Sequence, residues 1–316
     1  MARLIYPQTL TINSTNVATS TLDEWSSASV SYTVGDQVKY TAGQSVPHHA
    51  FEATADHTSS STNAPTIGGD INWLDLGAVN QHAMFDGFNN NRTVADSGED
   101  IEVSVTPSGR ARYLYLTGLR NASTITVQEV TGDPGVVRST TTVDLLKSRN
   151  PVGPWSWLMD IVGDDRYYAR SVAIRLPGQY YNPQLNITIT STSTGAECAQ
   201  CLVGLGFELG PTEWDAEAEI KDFSTFEQNT FGVTTFVPRQ NTRKLRGTIW
   251  IESTEYDRVY SLFEDRISQL VLLDLNNDDS GDYTLDPLRA YGKIDSLSGG
   301  IQYAKTPINI TLSGLE

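Results

Sequence analysis

Cysteine and histidine, the side chains that most often carry nucleophilic catalysis and metal binding, are scarce in this sequence. The chain of 316 residues has two cysteines and four histidines. A Ser-His-Asp or Cys-His site would need one of these histidines, and His48, His49 and His57 lie in loop-like sequence. No serine or cysteine has the flanking residues of a nucleophile elbow. We therefore expect no catalytic residue and no enzyme, although the many carboxylates leave a glycosidase pair open.

The two cysteines, Cys198 and Cys201, form a single C-x-x-C spacing inside an apolar, strand-like run. A structural zinc site usually has four ligands, and the sequence offers no second cysteine pair. A redox C-x-x-C stands at the start of a helix, which this context does not predict. We interpret both residues as buried thiols without a function.

Other metal and cofactor signals are weak. His48, His49 and His57 beside Asp56 form a conceivable metal site, but loop histidines that face solvent are the preferred interpretation. Residues 274–282 carry oxygen ligands at alternate positions. The spacing places Asp, not the Gly of an EF-hand, at the sixth position and Leu, not Glu, at the twelfth, so we interpret the segment as a solvated turn. No glycine-rich nucleotide motif is present, and we expect no metal and no cofactor.

Long apolar runs and positive charge are also lacking. The longest apolar stretches, such as residues 201–207, are far shorter than the roughly 20 residues of a membrane span. The first residues do not have the pattern of a signal peptide, so we expect no membrane span and synthesis in a cytoplasm. With 38 acidic and 22 basic residues, the net charge of −16 disfavours direct nucleic-acid binding.

What is present is period-two alternation of β-branched and polar residues, as in residues 101–105 and 185–190. This pattern predicts strands with one face in a core and the other in water, hence a mainly β protein. We divide the chain into an extended N-terminal arm (1–22) that packs on a neighbouring subunit, a small β domain (23–79), an antiparallel β-sandwich (80–200) and a C-terminal α+β domain (201–316).

One helix is expected, in the C-terminal domain, after a strand over residues 248–252. Ser253 or Thr254 is the expected N-cap. Apolar residues at three- and four-residue steps form one face of this helix: Tyr256, Val259, Tyr260, Phe263, Ile267 and Leu270.

An ordered set of aromatic and turn residues lies in the small β domain: Trp25, Tyr32, Gly35, Asp36, Val38, Tyr40, Phe51, Ala53, Pro65 and Trp73. This set resembles the small chitin-binding modules of microbial chitinases. The resemblance implies carbohydrate binding through Trp25, Tyr32, Tyr40, Phe51 and Trp73, although the motif usually places Trp25, Tyr40 and Trp73 in the core. Extra residues after Tyr40 depart from the family pattern, so retained sugar binding and reuse of the fold as a docking platform both stay open.

Further along the chain, Asn80 followed by Ala83, Met84, Phe85 and Asp86 resembles the junction after such a module in virion proteins of tailed bacteriophages. Residues 172–177 and 183–189 are similar to galactose-binding-like jelly rolls, and residues 203–239 contain segments that recur in the same phage proteins. The resemblance covers most of residues 25–316.

This resemblance implies a structural protein of the phage tail, at the tail tip or baseplate or in a fibre-attachment ring, made in the host cytoplasm and located in the virion. Its implied partners are itself, as a ring-forming homo-oligomer, other tail proteins, and a host surface glycan as a further candidate. Trp155, Trp157, Tyr180 and Tyr181 are candidate contact residues, with core packing an equal alternative for the two tryptophans. The alternatives are a carbohydrate-binding adhesin or receptor-binding module, and an accessory part of a cell-wall hydrolase.

Overall fold

The computed structural model describes residues 1–40, 48–87, 91–131, 135–148, 166–178, 180–228, 234–239, 241–276, 286–300, 302 and 304–315. Over these ranges the chain is mainly β, and its strand ladders are antiparallel, which confirms the predicted fold class. The chain divides into two compact units. We call residues 8–203 the central unit and residues 1–7 with 204–316 the terminal unit.

The central unit contains a sandwich whose larger sheet has five strands in the order β12-β11-β16-β9-β2. These strands are β2 (Leu10–Thr15), β9 (Ile101–Pro107), β11 (Ala122–Thr131), β12 (Val136–Asp144) and β16 (Gln184–Ser191). A second layer includes the paired strands β10 (Tyr113–Thr117) and β15 (Ser171–Arg175). Two short ladders join β8 (Thr93–Val94) to β17 (Glu197–Cys198) and β13 (Leu146–Ser148) to β14 (Arg166–Tyr168).

The sandwich core is built by the alternation that the sequence predicts. The five-stranded sheet buries Ile101, Val103, Val105, Ile125, Val127, Leu185, Ile187 and Ile189. These pack in one cluster with Leu114, Leu116, Ile174, Cys198, Cys201 and Val203. Each fully buried aliphatic side chain contributes about 1.5–3 kcal/mol relative to exposure, so this core holds the two layers together.

The small β domain also belongs to the central unit. Its strands are β3 (Ser31–Tyr32), β4 (Gln37–Tyr40), β5 (His49–Ala53), β6 (His57–Thr58) and β7 (Trp73–Ala78). Strands β4, β5 and β7 form one sheet, and β3 pairs with β6. The turn before β4 contains Gly35 at φ +91°, a left-handed conformation that favours glycine, and Asp36 accepts the backbone N–H of Thr33 at 2.7 Å. A 3₁₀ turn, Asn80–Phe85, follows β7.

The terminal unit contains seven neighbouring strands in the order β18-β1-β23-β24-β25-β22-β19. They are β1 (Ala2–Pro7), β18 (Gln200–Gly210), whose first residues belong to the central unit, β19 (Glu217–Asp222), β22 (Asn241–Glu252), β23 (Leu270–Asp274), β24 (Arg289–Gly299) and β25 (Lys305–Gly314). A hairpin joins β20 (Thr225–Gln228) to β21 (Thr234–Val237). Short 3₁₀ turns cover Ser253–Glu255 and Asp286–Leu288.

Helix α1 (Tyr256–Glu264) lies between β22 and β23 and buries Val259 and Phe263, as the periodic pattern predicts. The predicted N-cap is wrong, because no side chain caps the helix and the Ser253 hydroxyl donates to the Gln302 carbonyl at 2.6 Å instead. The predicted face is also too long, since the helix ends before Ile267 and Leu270, which are exposed. At nine residues, α1 is the longest helix in the described ranges, and none there has the length and apolarity to cross a membrane.

The segment 1–22, expected to be an arm on a neighbouring subunit, contains two strands that pair within this chain. Strand β1 lies between β18 and β23 and buries Ala2, Leu4 and Tyr6. Strand β2 pairs with β9 in the sandwich. The expectation of an arm on a neighbouring subunit rested on the Thr- and Ser-rich residues after position 7, whereas the first residues are apolar enough to fill a core position.

Several predicted features lie outside the described residues. These are Trp155, Trp157, most of the acidic segment 274–282 and the inserted residues 41–47. Of the other candidate contact residues, Tyr180 is half-buried and Tyr181 is exposed.

The close pairing of β1 with β18 makes a specific demand on Gly204. A Cβ at this position would lie 2.0 Å from the Tyr6 carbonyl oxygen, whereas at Gly300 it would meet nothing within 4 Å. We expect Gly204→Ala to lower the free energy of unfolding by about 2 kcal/mol or more, because the backbone of β1 must move to make room for the methyl group. Gly300→Ala should change the free energy of unfolding by no more than about 0.5 kcal/mol. Urea unfolding of both variants checks this; equal midpoints would contradict the described register.

Candidate functional site

The five aromatic residues predicted to bind sugar form the core of the small β domain. Tyr32, Phe51 and Trp73 are buried, with relative exposures of 8%, 1% and 0%. Trp25 and Tyr40 pack against them, partly buried, with their ring centroids 5.0 Å apart in an edge-to-face arrangement. The structure therefore brings all five residues together, as a hydrophobic cluster.

This arrangement leaves no ring face of Tyr32, Phe51 or Trp73 free for a sugar to stack on. The Trp73 ring is edge-to-face with Tyr32 at 5.1 Å, and its Nε1–H donates to the Asn63 carbonyl at 3.0 Å. The physical reason is size, because a domain this small needs its largest side chains for its own core. The burial therefore favours the structural interpretation of the motif over stacking on sugar at these three residues.

Two of the histidines predicted to face solvent, His48 and His49, are instead half-buried and buried, respectively. His49 is buried at the start of β5, and its Nδ1 lies 2.9 Å from a carboxylate oxygen of Asp75. The Asp75 carboxylate also accepts the backbone N–H groups of Gly68 and Gly77 at 2.7 and 2.8 Å. Although burial opposes it, the sum of these hydrogen bonds lowers the pKa of Asp75. The solvent-facing interpretation is therefore wrong for His49, whose partner is distant in sequence.

His48 and His82 meet at the junction between the small domain and the sandwich. Their ring centroids are 4.3 Å apart, and the backbone N–H of His48 donates to the His82 Nδ1 at 3.1 Å. Burial, and then the charge of His48, lower the pKa of His82 to about 4. Burial also lowers the pKa of His48, against the opposing effect of Glu24. Both rings are thus built to be neutral, and no group of three or more metal-ligating side chains occurs in the described part of the chain.

The two cysteines are free and fully buried, which confirms that they are buried thiols. Burial raises the pKa of Cys198 to about 12 and raises the pKa of Cys201 well above its usual value. Since the thiolate is the reactive form, neither residue is placed for nucleophilic chemistry.

The terminal unit exposes large apolar side chains that the sequence analysis did not single out. Trp214 is 100% exposed, and Phe226 and Phe236 are 72% and 59% exposed. The two phenylalanines are direct cross-strand partners in the β20–β21 hairpin. Ile220 points to solvent from β19, a strand in which all six residues are exposed. We call residues 214–237, as far as they are described, the aromatic edge.

Strand β19 is the last strand of its sheet. One side pairs with β22, from Glu217 opposite Arg246 to Asp222 opposite Asn241. The other side has no strand partner among the residues that the structure describes. A sheet edge of this kind presents unpaired backbone N–H and C=O groups, which another chain can extend by β-addition.

No protein-family model, curated protein or solved structure matches this chain. The choice among functions therefore rests on the geometry of the surfaces.

The aromatic edge is the strongest functional feature of this geometry. Exposed aromatic residues are the usual anchors of protein interfaces, and both exposed apolar side chains and an unpaired strand edge favour association. Trp214 gave no periodic signal because it lies in a turn, and Phe226 and Phe236 gave none because a hairpin of four-residue strands is too short. The only available signal in the sequence would have been an apolar residue flanked by polar residues in each of the segments that form β20 and β21.

The junction histidines predict a pH dependence of stability. Between the usual histidine pKa of about 6.5 and the value near 4, the unfolded chain binds a proton that the folded chain does not. Protonation of His82 therefore costs the folded chain nothing above this window. As the pH falls through the window, the free energy of unfolding decreases by about 2 kcal/mol, allowing for solvent screening. Urea unfolding of the parent and His82→Gln should show a flatter pH profile for the variant, because glutamine still accepts the His48 N–H.

His57→Gln is the matched control, since His57 lies away from the junction and bonds the Ala55 carbonyl at 2.8 Å. Its pH profile should follow that of the parent. Identical profiles for the parent and His82→Gln would show that the junction does not exclude a proton.

The thiols give a second prediction. In the folded chain, both cysteines should resist a disulfide reagent such as DTNB, because they are inaccessible and protonated. After unfolding in guanidinium chloride, two thiols per chain should react. Rapid labelling of the folded chain would contradict their burial.

Proposed function

We propose that this chain is a structural protein of a bacteriophage tail, a subunit of a tail-tip, baseplate or fibre-attachment ring that acts through protein–protein assembly. The observation that carries the proposal is the aromatic edge, where fully exposed Trp214, the Phe226–Phe236 pair and the unpaired side of β19 follow one another along the chain. The resemblance of residues 80–86, 172–189 and 203–239, in that order, to phage tail proteins supports the same assignment.

The chemistry of the edge suits contact with another protein. Strand β19 offers unpaired backbone N–H and C=O groups on one side, and the exposed apolar side chains of the aromatic edge gain from leaving water. Lys221 lies over the Phe223 ring at 5.0 Å, so part of the edge is covered by a charged side chain that a partner would have to displace. A ring subunit usually buries about 1,600 Å² or more in its contacts, of which this edge would form the centre.

The proposed partners are further copies of this chain and other tail proteins, with the virion tail as the location. A ring lined by subunits of net charge −16 would also allow DNA to pass without binding to the wall. The alternative, a carbohydrate-binding adhesin, predicts instead a stable monomer that binds host glycan.

Oligomerisation tests the proposal. The full chain should form a symmetric oligomer, seen by light scattering after size exclusion and by negative-stain microscopy. Trp214→Ala and Phe226→Ser should each weaken association by about 30-fold or more, the loss expected of an interface anchor. Because both side chains are exposed in the single chain, the variants should unfold at the same temperature as the parent at a dilution where the parent is monomeric.

Ile71→Ser is the matched control, since Ile71 is 87% exposed but lies in the small β domain. It should leave the oligomer intact. A parent chain that stays monomeric at high concentration would sink the assembly proposal, and so would an oligomer that all three variants leave unchanged.

A further inference from the structure

The outer face of the five-stranded sheet in the central unit contains a groove with a volume of about 580 Å³. It crosses four adjacent strands, β11, β16, β9 and β2, and therefore spans about 14 Å at the usual strand spacing. Its floor includes the outward-facing residues Ser104, Gln128, Asn186 and Thr188. No residue of the aromatic edge and neither junction histidine lines this groove.

One wall of the groove is formed by an irregularity in β2. The register between β2 and β9 shifts between Ile12 and Ser14, as at a β-bulge, which bends a strand and re-aims its side chains. The extra residue, Asn13, donates from Nδ2 to the Thr106 hydroxyl at 2.9 Å. Asn16 then receives the backbone N–H of Glu102 at 2.8 Å and donates to the Asp100 carbonyl at 2.9 Å. The wall is thus fixed in the free protein, which lowers the entropy cost of binding.

A hydrogen-bonded amide network orders the floor. The Gln184 Nε2 donates to the Ser104 hydroxyl at 2.9 Å and to the Asn186 Oδ1 at 3.1 Å. This leaves the Gln184 carbonyl oxygen as an acceptor and the Asn186 amide N–H groups as donors, and within the described residues no protein group bonds to either. The side chains of Gln128 and Thr188 likewise make no hydrogen bond there, and each can both donate and accept.

The charge of the groove narrows the class of ligand. Glu102 is the one ionisable residue that lines it. An anionic ligand would be repelled by Glu102 and by the net charge of −16, while a single carboxylate gives little to hold a polycation. The groups that remain are amides and hydroxyls that donate and accept side by side, and the hydroxyls of an uncharged sugar do the same.

From this match we propose that the groove binds a neutral oligosaccharide of about three sugar units. Amides and hydroxyls of the floor exchange hydrogen bonds with the sugar hydroxyls, and the wall formed by Ser14, Thr15 and Asn16 sets the direction of the sugar chain. Because no aromatic ring lines the groove, the affinity comes from hydrogen bonds alone, and the expected Kd is about 1 mM. The site is separate from the aromatics of the small β domain and does not depend on the proposed assembly.

The test is a titration of the full chain with four neutral trisaccharides, built from glucose, N-acetylglucosamine, galactose or mannose. Saturation-transfer difference NMR measures the binding. At least one trisaccharide should bind with a Kd of about 1 mM. Asn186→Ala and Gln128→Ala should each weaken this binding by about five-fold or more, because each removes the amide of one hydrogen-bonding residue. Trigalacturonic acid, the charged counterpart, should not bind.

Gln37→Ala is the matched control, since it removes an exposed amide in the small β domain that bonds Glu52 at 3.0 Å. It should leave trisaccharide binding unchanged. Thermal unfolding checks that the two groove variants are folded, and light scattering measures assembly separately. Failure of every neutral trisaccharide to bind at about 10 mM, ten times the expected Kd, overturns the proposal, as does binding that both groove variants leave intact.

Discussion

Period-two alternation of side chains along antiparallel strands decides which surfaces this protein presents. In β9, Ile101, Val103 and Val105 enter the sandwich core, so Glu102 and Ser104 must face the opposite side of the sheet. A slip of one residue would reverse both sets, and the cost of exposing the aliphatic side chains prevents it. The polar groove is therefore held in register by the hydrophobic core beneath it.

In the terminal unit, strand β19 has side chains on both faces that are not covered by a core. All six residues of β19 are exposed, because this strand extends the sheet past the last residues that the core covers. Its stability in the free chain comes from pairing with β22 on one side, including the exposed ion pair of Arg246 with Glu219 at 3.5 Å. Such a pair contributes little in water, so the order of β19 in a monomer depends mainly on its pairing with β22. A partner that covers it would remove this weakness.

Features that depend on local sequence were predictable, and features that depend on distant partners were not. The helix follows from the spacing of Val259 and Phe263, and the strands of the sandwich follow from their alternation. The burial of His49 depends on Asp75, which approaches only when β5 and β7 pair. The motif that resembles chitin-binding modules fixed which aromatics cluster but not which rings stay accessible, because burial is a property of the whole domain. The fold class was thus accessible from sequence, whereas the aromatic edge and the groove needed the structure.

The two proposed surfaces differ in the source of their binding free energy. An interface anchored by Trp214 and the Phe226–Phe236 pair gains free energy from removing apolar area from water, and a single copy can supply enough for stable association. A groove of amides and hydroxyls exchanges hydrogen bonds with water for hydrogen bonds with sugar, so its net gain per copy is small. Such a site becomes effective only when several copies engage one polysaccharide, since the second binding event is then intramolecular. An assembly built through the aromatic edge would supply those copies, and it would turn a weak groove into firm attachment without any change in the groove itself.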